Sequence, residues 1–221
     1  MRIKTVLTTC LLAVFPLSAF GQEPPPGHVL WLIPNFRTAI DSGKYTLISP
    51  KEKFLIVKED SVDRGTVALA AAFGAESQFS RSQSSFGNGA GGYARYWSTA
   101  YADFAIGNLM TEGVFPTLLH QDPRCFRRGS GSGWSRLGSA VGQIFWTRTD
   151  SGRKQFNYSE IAGNSAAVAV SMAYYPSSRN ASDAAVQLGV QVAVDMASNI
   201  VKEFWPARLR GSRRLASVPG R

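Results

Sequence analysis

Three prolines frame what this chain can fold into. Pro116, Pro176 and Pro206 each close a segment of helical length rich in alanine, glycine and other small or apolar residues. Proline has neither the N–H nor the room to continue a helix. Between these stops the chain has almost none of the apolar–polar alternation that marks a half-buried strand. Helices that must bury their apolar sides with no sheet to cover can only pack on one another, so the expected class is all-α.

Helix starts are equally legible. "SPKE" sets Ser49 at an N-cap, Pro50 at the first helical position and Glu52 three residues past the cap, a capping box; its helix is predicted to run to about Asp60. Asp63 caps "RGTVALAAAFGAESQF". Residues 81–92, "RSQSSFGNGAGG", read as a loop. Further helices are predicted over residues 93–115, 134–148 and 157–175, with "TDSGRKQ" as a turn and Ser182 capping a last helix that ends at Trp205. The expectation is a compact bundle of five or six helices over residues 30–206. "VLWLIPNF" before it is an edge strand or an extended N-terminal arm. "ALAAAFGA", "GSAVG" and "AGNSAAVAV" supply the small side chains that let helix backbones approach closely. No segment is continuously apolar over roughly 18 residues, which favours a soluble or peripheral bundle and leaves a partly embedded one open.

The first 21 residues read as an export signal. Arg2 and Lys4 precede an apolar stretch over residues 6–15, and Pro16 leads into "SAFG" with small residues at the cleavage positions. Residues 22–29 then form a proline-rich linker, "QEPPPGH" and the residues around it. Export bears on the cysteines: Cys10 leaves with the signal, so Cys125 has no partner for an intramolecular disulfide. It is expected to be a small buried hydrophobe.

Export also redistributes the charge. Of the net +9, two charges belong to the signal and five to the arginines of residues 207–221, "ARLRGSRRLASVPGR", which leaves +2 for the body. The basicity therefore belongs to a tail. A short basic tail on an exported protein suits an anionic lipid surface or an anionic envelope polymer rather than nucleic acid.

Two polar patterns are candidates for function. The first is "HQDPRCFRRGSGSGWSRLG", where Arg124, Arg127, Arg128 and Arg136 surround glycines just before a helix start. Free backbone N–H groups, a helix dipole and arginine forks are the ingredients of an anion site. The plain alternative is a connector whose arginines pair internally. The second is a stripe on the last helix: Gln187, Gln191, Asp195, Asn199 and Glu203 recur every four residues among apolar neighbours. Glu160 and Asn164, and Asn108 and Glu112, repeat that spacing. Either Asn108, Glu112, Glu160, Asn164, Asp195 and Asn199 converge inside the bundle, where enclosed carboxylates acquire raised pKa values, or each stripe meets solvent narrowly.

Other chemistry lacks the residues it needs. Two histidines, His28 in the leader and His120 in the loop, supply no Glu-x-x-His pair and no acidic calcium loop. No metal and no cofactor is expected. The serines of G-S-G-S-G are out of phase with a nucleophile elbow.

"MTEGVFPTLLHQDPRCFRRGSGSGWSRLGSAVGQIFWTRTDSGRKQFNYSEIAGN" and "DMASNIVKEFWP" resemble a group of uncharacterised exported helical proteins of soil bacteria, and the likeness runs from about "SPKEKF" to "EFWP". The resemblance implies a periplasmic or outer-envelope location in a bacterium and transfers no catalytic residue. It also implies that no thiol is required, since an aromatic residue usually stands at the place of Cys125. The expected role is an envelope protein that associates with a membrane surface or anionic polymer through the Arg/Gly loop and the basic tail. The alternatives are a lipid or glycan hydrolase working with Asp195 or Glu160, and a structural or assembly partner.

Overall fold

The computed structural model describes residues 28–29, 33–40 and 45–205. The stretch expected to be an export signal, most of the proline-rich linker and the basic tail lie outside the described residues. Within them the expected class holds: the chain is mostly helical, with six helices packed together and a few short strands.

The arm comes first. β1 (His28–Val29) pairs antiparallel with β2 (Ile33–Pro34), and β3 (Thr38–Ile40) runs parallel to β4 (Cys125–Arg127). His28 was expected in a flexible leader, yet it is buried, with Nε2 2.8 Å from the Asp63 carboxylate. The arm is thus a built part of the domain, and it carries Arg37 inside. The Cys125 N–H donates to the Arg37 carbonyl at 3.0 Å. Cys125 itself is buried, as expected.

α1 (Pro50–Ser61) starts on the capping box: the Ser49 hydroxyl accepts from the Glu52 N–H at 3.3 Å, and the Glu52 carboxylate accepts from the Ser49 N–H at 2.7 Å. α2 (Arg64–Ser80) starts on Asp63, which accepts from the Gly65 N–H at 2.6 Å. It lies along α3 (Gly89–Asn108), which begins a few residues earlier than the loop composition suggests.

α3 does not stop at Pro116. It runs into a π-helical segment, Leu109–Val114, and then a last turn, α4 (Phe115–Leu118). The wide π-turn, in which the Phe115 N–H donates to the Met110 carbonyl, shifts the register so that Pro116 falls in the first turn of α4. The chain leaves the helix only after Leu118, with His120 at φ 53°.

α5 (Gly133–Gly142) is much shorter than the helix expected over residues 134–148. The remainder becomes β5 (Trp146–Arg148), antiparallel to β6 (Lys154–Phe156). Trp146, Thr147 and Thr149 favour a pleated chain, and Gly152 at φ 85° closes the hairpin. The "TDSGRKQ" turn is real but joins strands. α6 (Tyr158–Ser171) is capped by Asn157, the first residue of the helix expected over 157–175, and ends before the expected stop. α7 (Ala181–Phe204) is capped by Asn180, not Ser182: the Asn180 Oδ1 accepts from the Asp183 N–H at 2.8 Å.

Small residues do set helix approach, though unevenly. A Cβ added at Gly74 would lie 2.8 Å from the Trp97 Cα, and one at Gly163 would lie 3.0 Å from the Thr111 Cα. Gly138 and Gly142, the glycines of "GSAVG", would meet nothing within 4 Å. Gly74→Ala is therefore expected to lower stability by about 1–3 kcal/mol through overpacking. Gly138→Ala should raise it by roughly 0.5–1 kcal/mol through helix propensity. Urea midpoints of the two variants moving in the same direction would refute this account of the packing.

Candidate functional site

The Arg/Gly loop is an anion site, and the anion it holds belongs to the same chain. Glu203, near the end of α7, is 2% exposed. Its carboxylate accepts from the backbone N–H groups of Arg128 (2.8 Å) and Gly129 (3.0 Å) and from Arg136 Nε (2.8 Å). Arg127 Nε and Arg136 Nη2 donate to the Glu203 carbonyl at 3.0 and 2.5 Å. That carbonyl is one of those a helix C-terminus leaves without an intrahelical donor, and cations are favoured there. Gly129 supplies the left-handed turn, φ 67°, that presents its N–H to the carboxylate.

The other two arginines are also engaged. Arg128 Nη1 donates to Ser135 Oγ at 2.8 Å. Arg124 clasps Asp122 through Nε and Nη2 and donates to the Thr46 carbonyl. The four arginines do not gather round one external site. Charge and backbone freedom are concentrated here because the loop must cap and anchor the last helix.

The polar stripes converge with one exception. Asn108 stands apart, its Nδ2 3.4 Å from Ser61 Oγ. Glu112, Glu160, Asn164, Asp195 and Asn199 do come together, and they do so around Arg37, which the sequence reading did not single out. Arg37 Nη1 lies 3.5 Å from Glu112 Oε1, with both side chains less than a tenth exposed. Asn164 Nδ2 donates to Glu160 Oε1 at 3.3 Å and to Asp195 Oδ2 at 3.2 Å, tying α6 to α7. Two more missed charges complete the cluster, Asp60 on α1 and Lys202 on α7, both buried. Lys202 directly precedes the stripe residue Glu203, which was its one sequence signal.

Burial and mutual repulsion set the protonation of this cluster. Burial, then the charge of Asp60, drives the Glu112 carboxyl well above the usual carboxylate range. Asp60 is raised by burial as well. One oxygen of each, Asp60 Oδ1 and Glu112 Oε2, has no ordinary donor, and a single proton held between the two groups satisfies both. Glu160 is pushed up to about 8 by burial and by the neighbouring Asp195 charge. Lys202 is pulled down by burial and by Arg37. Burial also opposes the Arg37 charge, but Glu112, Glu160 and Asp195 outweigh it, so Arg37 stays cationic.

A cavity of about 320 Å³ opens beside this cluster. Arg37, Glu160 and Asn199, all nine-tenths buried or more, lie on its inner wall, while the half-exposed Trp146 and the exposed Lys154 mark its mouth. Cys125 also lines it, its thiol raised by burial. Asp195 is not on the wall; it stands behind Glu160, reached through Asn164.

The last feature is the orientation of α7. Its polar stripe faces the bundle: Gln187 Nε2 donates to Ser171 Oγ at 2.8 Å, Asp195 meets Asn164, and Asn199, Lys202 and Glu203 are buried. At 100° per residue the opposite arc carries Ser182 and Asp183 in the first turn and, from there on, Val186, Gly189, Val190, Ala193, Ala197, Ile200, Val201 and Phe204, all apolar. Of these apolar residues, Val186, Gly189, Ala193, Ala197 and Phe204 are exposed and the rest half-exposed. Among the described residues, α7 is the one helix long and apolar enough to cross a membrane by length and composition. On the neighbouring α5, Trp134 is 83% exposed.

Comparison of the chain with known protein families, with curated proteins and with solved structures gives no match.

Removing Arg136 should strand a buried carboxylate that keeps only its two backbone donors. Arg136→Ala is expected to cost about 2–3 kcal/mol, below the range for a fully orphaned buried pair. Arg128→Ala, which removes only a bond to a surface serine, should cost less than about 0.5 kcal/mol. Chemical denaturation that ranks the two equally would contradict this role for the loop.

Proposed function

We propose that this is an exported envelope protein that lies against an anionic lipid surface through the outer face of α7. The reading rests on one observation, that the polar stripe of α7 is turned into the bundle and its apolar arc is turned out. A surface helix of a soluble domain does the reverse. An apolar arc on the outside finds favourable surroundings in acyl chains, as interfacial helices do.

Charge complementarity supports the choice of partner. α7 ends in Phe204 and Trp205, and the five arginines of residues 207–221 follow at once. Aromatic residues favour the headgroup level, and clustered arginines beyond them are attracted to anionic lipid at roughly 1 kcal/mol each. α7 is about 36 Å long, but its inward side carries Asp195, Lys202 and Glu203 bound to the rest of the protein. A helix lying in the surface suits that two-sidedness. The Arg/Gly loop contributes by anchoring α7 through Glu203, not by touching lipid.

The experiment is flotation of residues 22–221 with phosphatidylglycerol-containing vesicles and with pure phosphatidylcholine vesicles. Flotation is expected with the anionic vesicles and much less with the neutral ones. Val186→Asp combined with Ala193→Asp should reduce it at least tenfold with unchanged helical circular dichroism, because a buried charge in acyl chains is costly. Undiminished flotation of that variant would sink the reading.

A second reading, a lipid or glycan hydrolase, draws on Glu160. This carboxyl lies on a cavity wall with its pKa raised to about 8, so it holds a proton at neutral pH as a general acid must. Glu160→Gln should then abolish any turnover found with the purified protein, and retained turnover would remove Glu160 from that role.

A further inference from the structure

The cavity beside Arg37 is independent of the lipid-facing side of α7. We infer that it is a binding site for a small hydroxylated anion of single-sugar size, a sugar acid or a sugar phosphate. Its hydroxyls would meet the inner wall and its anionic group the mouth.

The inner wall carries the argument. Arg37 Nε is a buried donor with no acceptor, and Asn199 Oδ1 is a buried acceptor with no donor. The two residues are 7% and 4% exposed, and both line the same cavity. An unsatisfied buried polar group costs roughly 1–3 kcal/mol, so a fold that keeps two of opposite kind on one wall is shaped for a group that both donates and accepts. A hydroxyl does both; a carboxylate or phosphate only accepts. Glu160, on the same wall, adds a third polar contact. Arg37 already has its partners within the protein, with Glu112 Oε1 3.5 Å from Nη1 and Asp195 close enough to hold its charge. No free cation at that depth is left for the anionic group of the ligand, which places that group elsewhere.

The mouth supplies the place for it. Lys154 on β6 and the guanidinium of Arg124 line the outer part of the cavity. Asp122 is the acidic residue among them, and Arg124 already holds it at 2.7 Å. The mouth is therefore net positive. Trp146, half exposed on the same rim, offers the flat apolar face on which a sugar ring stacks. A volume of about 320 Å³ stands at the lower end of small-molecule sites, room for one ring and its substituents. Three other polar lining atoms are committed: Asn157 Oδ1 caps α6, Gln143 Oε1 accepts from the Phe126 N–H, and Thr147 Oγ1 donates to the Asp122 carbonyl.

The test is calorimetric titration of residues 22–221 with D-glucuronate, glucose 6-phosphate, glucose and inorganic phosphate. At least one of the two anionic sugars is expected to bind with a Kd below about 1 mM, and whichever binds more tightly identifies the source of the charge. Glucose and inorganic phosphate should each bind at least tenfold more weakly. Asn199→Leu removes the orphan acceptor with little change of volume, so the variant should fold as stably as the parent while losing binding at least tenfold. Lys154→Gln, on an exposed strand, should weaken the anionic sugar and leave glucose unchanged. Failure of both anionic sugars to bind, glucose binding as tightly as they do, or full affinity in Asn199→Leu or in Lys154→Gln would each overturn the assignment.

Discussion

A buried arginine holds this bundle together. Arg37 arrives on an extended arm rather than on a helix, and it enters a space where Asp60, Glu112, Glu160 and Asp195 have been drawn in from four helical segments. Taking a carboxylate out of water costs several kcal/mol after relaxation, so that space exists only because a permanent cation fills it and the acids share protons around it. Lysine would serve less well. Its ammonium loses its proton readily when buried, as the depressed pKa of Lys202 illustrates, whereas guanidinium keeps its charge. The arm is then part of the core, and pairing of β3 with β4 positions its one essential charge.

The same inversion appears at larger scale. Among the described residues, twenty polar or charged ones are buried against twelve hydrophobic ones, and the apolar side of α7 faces outward. Each polar group inside must be matched, which explains the density of side-chain to backbone bonds. Lys53, wholly buried, donates to the Pro116 carbonyl at 3.0 Å and to Asp150 at 2.7 Å, pinning α1 to the end of α4 and to the β5–β6 hairpin. Gln121 links the Phe156 carbonyl and the Ser159 N–H. Arg37 Nε and Asn199 Oδ1 are among the buried atoms left unmatched, and beside these two the chain has left room. Polar interior, apolar exterior and an unsaturated cavity wall are three consequences of one arrangement.

The Arg/Gly loop follows the plain alternative, a connector whose arginines pair within the chain. Arginines, glycines and backbone N–H groups make a carboxylate site, and they bind a carboxylate. That it is Glu203, seventy-four residues after Gly129, depends on how α7 packs on α5. The spacing by four of the last helix announced a stripe, and the stripe is there. Its direction depends on what lies opposite, and no periodicity on one helix carries that.

Local sequence by itself determined the helices that have local signals: the Ser49 capping box, the Asp63 and Asn157 caps, and the small-residue contacts at Gly74 and Gly163. It also announced which polar residues of α6 and α7 share a stripe. Those features depend on interactions within a few residues, or on the absence of a side chain. Tertiary structure decided the rest. Pro116 did not end its helix because a π-turn, packed between α1 and α6, changed the register before it. Residues 146–148 became a strand because 154–156 lay within pairing distance. Arg37, Asp60 and Lys202 became the centre of the protein because a charge has no local signature of burial; only the arrival of its counter-charges from distant segments makes that burial possible.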